Sequence, residues 1–292
     1  MPHDPYKALY LHLPFCVKRC AYCDFATAAV PAGAPEIEAY VEDLSLQIRR
    51  KAKEGELGAV ETVYLGGGTP SHVGLAGLSM LLYTLSLSMH LTDEVECTME
   101  ANPESLTERM VRDIWALGVN RLSIGVQSFD DDVLRTLGRA HSSDDARRAI
   151  EAARTRFENV SVDLMCGIPG QSAESFEASV REAVRLGATH VSVYPLTIEP
   201  HTPFDAAVLA GELEEPDDDV EAAHMEIAAR VLAEAGIKLY GGVSGDADAA
   251  VSALLNGSLG YDPNVHCDHH DHAHGESGHT CGDHGCGKHS CH

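Results

Sequence analysis

Between Tyr10 and Phe25 the chain reads YLHLPFCVKRCAYCDF, which sets Cys16, Cys20 and Cys23 in a C-x-x-x-C-x-x-C spacing. Three thiolates this close in sequence converge only if the backbone wraps into a tight loop, and Cys thiolates in such loops hold iron–sulfur clusters. A cubane cluster has four irons. Three protein ligands therefore leave one iron open, as catalytic metal sites leave a position open for substrate. The same spacing also admits half of a zinc site, a disulfide with a spare thiol, or three buried thiols. Zinc asks for a fourth Cys or His at paired spacing. Disulfides ask for an oxidising compartment, and MPHDPYKALYLHLPF lacks the cationic and then apolar pattern of a secretory leader.

Further polar residues stand at intervals downstream. Gly66-Gly67-Gly68-Thr69-Pro70-Ser71 is a glycine-rich turn, whose bare backbone can approach a ligand and offer it N–H and C=O groups. Glu100 stands in MEANPES, Gln127 in SIGVQSFDD, Arg139 in LGRAH and Asp163 in VDLMCGIPG, before the segment YPLTIEP at 194–200.

These residues need a scaffold, and the hydrophobic pattern supplies one. Short β-rich runs at 7–13, 61–66, 95–100, 121–127, 160–166, 190–197 and 237–240 alternate with amphipathic stretches at 35–54, 74–89, 105–117, 131–156 in two pieces, 173–187 and 217–235. Ser105 with Glu108 reads as a capping box, and Gly118, Gly187 and Gly236 follow expected last turns. Such alternation means parallel strands joined by crossover helices. The expected fold is α/β, a partial (β/α)6 barrel over residues 1–240. In barrels of this kind the loops after the strands build the site, and each polar residue above falls at a strand end.

Taken together, the three-cysteine loop, GGGTP and the ordered strand-end residues resemble the radical S-adenosylmethionine (SAM) superfamily. Within it they resemble the coproporphyrinogen dehydrogenase-like branch, and most of all the HemW-like heme chaperones. The resemblance covers about residues 6–236. It implies a 4Fe-4S cluster on Cys16, Cys20 and Cys23, whose open iron chelates SAM and whose electron cleaves it to a radical. It further implies SAM contacts from Tyr10, Gly67, Thr69 and Glu100, with Tyr22, Gly68, Gln127, Arg139 and Asp163 around the nucleotide. Carboxylates suit ribose hydroxyls, and Arg139 suits a carboxylate as a planar fork. Heme or a porphyrinogen is the implied substrate or cargo, and a flavodoxin or ferredoxin the implied electron donor. Any turnover would be of the oxidoreductase type. Coproporphyrinogen dehydrogenases resemble C-x-x-x-C-x-x-C-x-C, whereas Phe25 fills the last of those positions here, as in the HemW-like branch. The HNxxYW-type motif of HemW-like C-terminal domains has no counterpart, for the single Trp is Trp115.

A net charge of −24 disfavours nonspecific binding to nucleic acid. No run approaches the ~18–20 apolar residues of a membrane span, so a cytoplasmic protein without stable membrane insertion is expected. Nine cysteines then read as ligands or buried thiols, Cys97 and Cys166 among the latter. Residues 241–263 read as a linker or short cap, and 264–292 as a metal-binding tail. That tail carries His266, Cys267, His269, His270, His272, His274, His279, Cys281, His284, Cys286, His289, Cys291 and His292. With almost nothing apolar to bury it forms no core. Imidazole and thiolate together suit Zn, Ni, Co or Cu, with heme ligation through His a further use.

Overall fold

The computed structural model describes residues 6–238 except Glu56, so the 241–263 linker and the 264–292 tail lie outside the described residues. A first strand, β1 (Tyr6–Leu13), leads into two short paired segments, β2 (Phe15–Cys16) and β3 (Ala28–Ala29), that bracket the cysteines. Helices and strands then alternate: α1 (Pro35–Glu54), β4 (Leu57–Gly67), α2 (Gly74–Ser88), β5 (Leu91–Ala101), α3 (Glu108–Ala116), β6 (Arg121–Gln127), α4 (Asp131–Thr136), α5 (Ser143–Arg154), β7 (Asn159–Cys166), α6 (Ala173–Arg185), β8 (His190–Pro195), α7 (Pro203–Leu209) and α8 (Asp218–Glu234). The main sheet has six strands, all parallel, in the order β1-β4-β5-β6-β7-β8. Each strand lies beside its predecessor with a helical crossover between, which is the expected partial barrel.

Period-two alternation sorts the side chains. Leu13, Leu65, Met99, Ile124 and Leu164 are fully buried and join Leu78, Leu81, Ile114, Ile150 and Phe176 of the helices in one core. Their strand neighbours Tyr64, Glu100, Ser123 and Asp163 take the opposite face. A closed barrel fills that inner face with branched apolar side chains. Here it is polar.

The helix ends differ in one respect from expectation. Ser105 does not cap α3: it lies in a 3-10 turn, Pro103–Ser105, and Thr107 caps instead, accepting from the Met110 N–H. That turn ends the first hydrogen-bonded segment after β5, and the extended backbone of Thr107 starts a second. Gly118, Gly187 and Gly236 do take the left-handed conformation after their helices. Ile237 and Lys238 carry no strand, so the expected seventh strand does not form there, and its residues 239–240 lie outside the described residues. Among the described residues no helix is long and apolar enough to cross a membrane.

Candidate functional site

The cysteine loop is closed by main chain. Ala28 N–H donates to Pro14 O at 2.7 Å and Val30 N–H to Cys16 O at 3.0 Å, pinning both ends of the loop. Its middle is tied down as well, by Ala21 N–H to Leu137 O at 3.0 Å and by Phe204 N–H to Ala21 O at 3.1 Å. Arg19 Nη2 donates to Cys23 O at 3.0 Å and tightens the last turn. Cys16, Cys20 and Cys23 are free thiols, and all three line a cavity of about 400 Å³ at the C-terminal ends of the strands. Among the described residues no three His, Cys, Asp or Glu side chains close on a single ion. Burial pushes the Cys16 and Cys23 thiols up, so loading the loop displaces their protons.

The glycine run after β4 folds back onto this loop. Gly68 N–H donates to Leu13 O at 2.9 Å and Thr69 N–H to Phe15 O at 2.8 Å. A Cβ on Gly68 would stand 2.8 Å from the Phe15 backbone, and one on Gly67, whose φ is +117°, 2.6 Å from the His12 ring. The glycines are thus required first by the close approach of the loop to the end of β1. Gly67 and Gly68 then face the cavity.

From Thr69 a hydrogen-bonded path joins two of the cysteines. Thr69 Oγ1 donates to Cys16 Sγ at 3.4 Å and accepts from Asn102 Nδ2 at 3.0 Å. Arg139 Nη2 donates to Asn102 Oδ1 at 2.8 Å and to Gly125 O at 2.6 Å, while Nη1 donates to Cys20 Sγ at 3.3 Å. Burial works against the Arg139 charge, but Tyr22, Cys20 and Glu104 around it outweigh that and hold its pKa above the ordinary arginine value. Its Nε–H is buried and has no partner among the described residues. A buried unpaired donor on the guanidinium that bonds Cys20 is a feature an acceptor-bearing ligand would satisfy.

Two carboxylates complete the wall. Glu100 accepts from Gly67 N–H at 3.0 Å and from Tyr64 Oη at 2.8 Å, which fixes its rotamer. Asp163 accepts from Ser123 Oγ at 3.0 Å, yet burial pushes its pKa up to about 6. Gln127 closes β6 with φ +67°, at a register shift between β6 and β7. A side-chain-bearing residue there is strained, and such strain gathers at binding sites. Tyr22, Gly67, Gly68, Thr69, Glu100, Gln127, Arg139 and Asp163 all line the cavity. Tyr10 does not: its ring stacks on Tyr64 at 5.9 Å and its hydroxyl meets His12 Nδ1 at 3.2 Å. The sequence motifs do not point to Asn102, Ser123 or Tyr64. Asn102 has a signal, since it stands two residues after Glu100, but Ser123 and Tyr64 emerge only from strand register.

The Radical SAM superfamily model matches residues 10–183. Heme chaperone HemW of Haemophilus influenzae is 34% identical over 244 residues, 82% of this chain and 63% of that one. HemW of Mycobacterium tuberculosis is 39% identical over 242 residues, 82% and 62% of the two chains. Among solved structures, coproporphyrinogen III oxidase (HemN) from Escherichia coli superposes with a TM-score of 0.69 at 26% identity, covering 78% of this chain and 52% of that one. The chain spans about three fifths of the length of the HemW proteins it matches.

Proposed function

The chain belongs to the Radical SAM superfamily, and within it we propose a protein that binds a 4Fe-4S cluster on Cys16, Cys20 and Cys23, binds SAM beside it, and serves heme transfer or tetrapyrrole metabolism. The observation that supports the cofactor reading most is the path Cys16–Thr69–Asn102–Arg139–Cys20, which ties the thiol loop to the glycine loop across one cavity. When bound, the cluster and SAM supply the radical chemistry; the protein orients them and excludes water. Arg139 keeps a positive charge against the thiolates and presents donors to a carboxylate. Glu100, braced by Tyr64 and Gly67, and Asp163, braced by Ser123, offer acceptors to ribose hydroxyls.

Similarity to HemW proteins and the Phe at position 25 support heme transfer over oxidative decarboxylation of coproporphyrinogen. The decarboxylase remains the second reading because of the likeness to HemN. Anaerobic reconstitution with iron and sulfide tests the whole proposal. The reduced protein should give a cluster electron paramagnetic resonance signal that shifts on adding SAM and is lost in Cys20→Ala. A signal indifferent to SAM would sink the radical SAM function for this chain, and turnover of coproporphyrinogen would favour the second reading.

Nine histidines and four cysteines between His266 and His292 support a separate metal-binding role. His-x-Cys recurs every five residues at 279–281, 284–286 and 289–291, offering several alternative chelates rather than one site. Equilibrium dialysis with zinc should find more than one ion per chain, and removing 264–292 should abolish that binding while the SAM response persists.

A further inference from the structure

Two large aromatic side chains stand on the border of the cavity. Phe25 is 65% exposed and Tyr194 54% exposed, and both line the cavity that holds the cysteines. Phe25 comes from the cysteine loop, just past Cys23. Tyr194 comes from the end of β8, at the other edge of the sheet. Neither ring stacks on another aromatic among the described residues, and Tyr194 makes no side-chain hydrogen bond there. Single exposed apolar residues scattered over a surface need no explanation, whereas two aromatics bordering one cavity describe a ligand-contacting mouth.

The same rim carries charge. Lys18 lines the cavity and forms no hydrogen bond or ion pair among the described residues, while Arg19 beside it is tied to the Cys23 and Phe25 carbonyls. Asp24 and Glu199 also reach the rim. Of the cations that line the cavity, Arg19 is held by those carbonyls and Arg139 by Asn102, Gly125 and Cys20, which leaves the Lys18 ammonium able to meet an anionic group.

We propose that Phe25 and Tyr194 contact a planar, largely apolar ligand seated at the cavity mouth, and that Lys18 meets a carboxylate on that ligand's edge. The inference rests on the tetrapyrrole reading above, under which the ligand is a porphyrin or heme, and it names the residues that select it. Aromatic rings give a flat ligand large contact area at small entropic loss, and a single flexible ammonium accommodates a carboxylate without fixing its geometry.

The test uses the full, reconstituted chain and protoporphyrin IX, which contains no metal for the tail's imidazoles and thiolates to ligate. Fluorescence titration compares it with its dimethyl ester. Phe25→Ala and Tyr194→Ala should each weaken porphyrin binding about tenfold, and Tyr194→Phe should bind as wild type. Lys18→Gln should weaken the free acid a few-fold and leave the ester unchanged. All four variants should keep the SAM-dependent change in the cluster spectrum, because these side chains lie at the rim and are not proposed to touch SAM. Wild-type affinity in both alanine variants would overturn the inference while leaving the tetrapyrrole reading intact. Failure of the wild type to bind either porphyrin or heme would overturn both.

Discussion

On the outer face of the main sheet Leu65, Met99, Ile124 and Leu164 are fully buried against helices, whereas one residue away along the same strands Tyr64 bonds Glu100 and Ser123 bonds Asp163, and Glu100, Ser123 and Asp163 line a cavity. The outer set holds the strands in place without touching the cavity. The inner set contributes little to the core and positions the groups that line the cavity. Stability and binding are thus written on alternate residues of the same strands, and substitution can address them one at a time.

The largest effect should come from the outer face. Leu65→Ala removes a fully buried side chain and should lower the unfolding free energy by about 3–5 kcal/mol; Ser123→Ala on the inner face removes a donor to the buried Asp163 carboxylate and should cost about 1–2 kcal/mol. Urea unfolding of both variants checks the contrast, and equal losses would break it. Next is Gly68→Ala, whose Cβ meets Phe15 backbone atoms at 2.8 Å and cannot be relieved by a side-chain rotation. It should cost about 1–3 kcal/mol and reduce the iron taken up on reconstitution, because Gly68 both packs against the end of β1 and lines the cavity.

Asp163 gives a pH signature. Its folded pKa of about 6 lies above the ordinary 3.8, so between those values the folded chain binds more protons than the unfolded one. Stability is therefore fully present below about pH 4 and falls as pH rises through about 6. Relative to Asp163→Asn, the wild type should lose roughly 1–2 kcal/mol across that window, since water reaching the cavity reduces the full penalty of the shift. Urea unfolding at pH 4, 5, 6 and 7 before reconstitution measures it; parallel curves would mean the carboxyl is more solvated than its burial implies. The smallest effect is expected at Gln127. Gln127→Gly should relieve the positive-φ strain and stabilise the fold by up to about 1 kcal/mol, while weakening the SAM response of the cluster signal. Thermal melts and the spectrum read the two quantities separately.

Much of this arrangement is legible in the amino-acid sequence. The alternation of periods implies the six parallel strands that form, together with a run at 237–240 whose described residues carry no strand, and the residue at each strand's C-terminal end marks the cavity wall, because loop position in such folds follows from topology. Register is not legible in the same way. That Tyr64 braces Glu100, or Ser123 braces Asp163, depends on which residues of neighbouring strands lie opposite, and period-two patterns leave that open. Tyr10 illustrates the same limit: one strand in from the edge, Tyr64 stands beside it, and the stacked pair leaves Tyr10 off the cavity. The cap of α3 escapes a sequence reading for a different reason, since Ser105 and Thr107 both offer a hydroxyl and only the turn at Pro103 decides between them. The glycine run is plain in the sequence, but its first cause is the closeness of the Phe15 backbone and the His12 ring.

The two-residue pairing of β2 with β3 has a consequence for how this protein can vary. The hydrogen bonds that clamp the two ends of the cysteine loop, from Ala28 to Pro14 and from Val30 to Cys16, run between main-chain groups. Side chains between the clamps can therefore be exchanged without removing the bonds that set the loop's span, which leaves that segment open to change while its two ends stay in register.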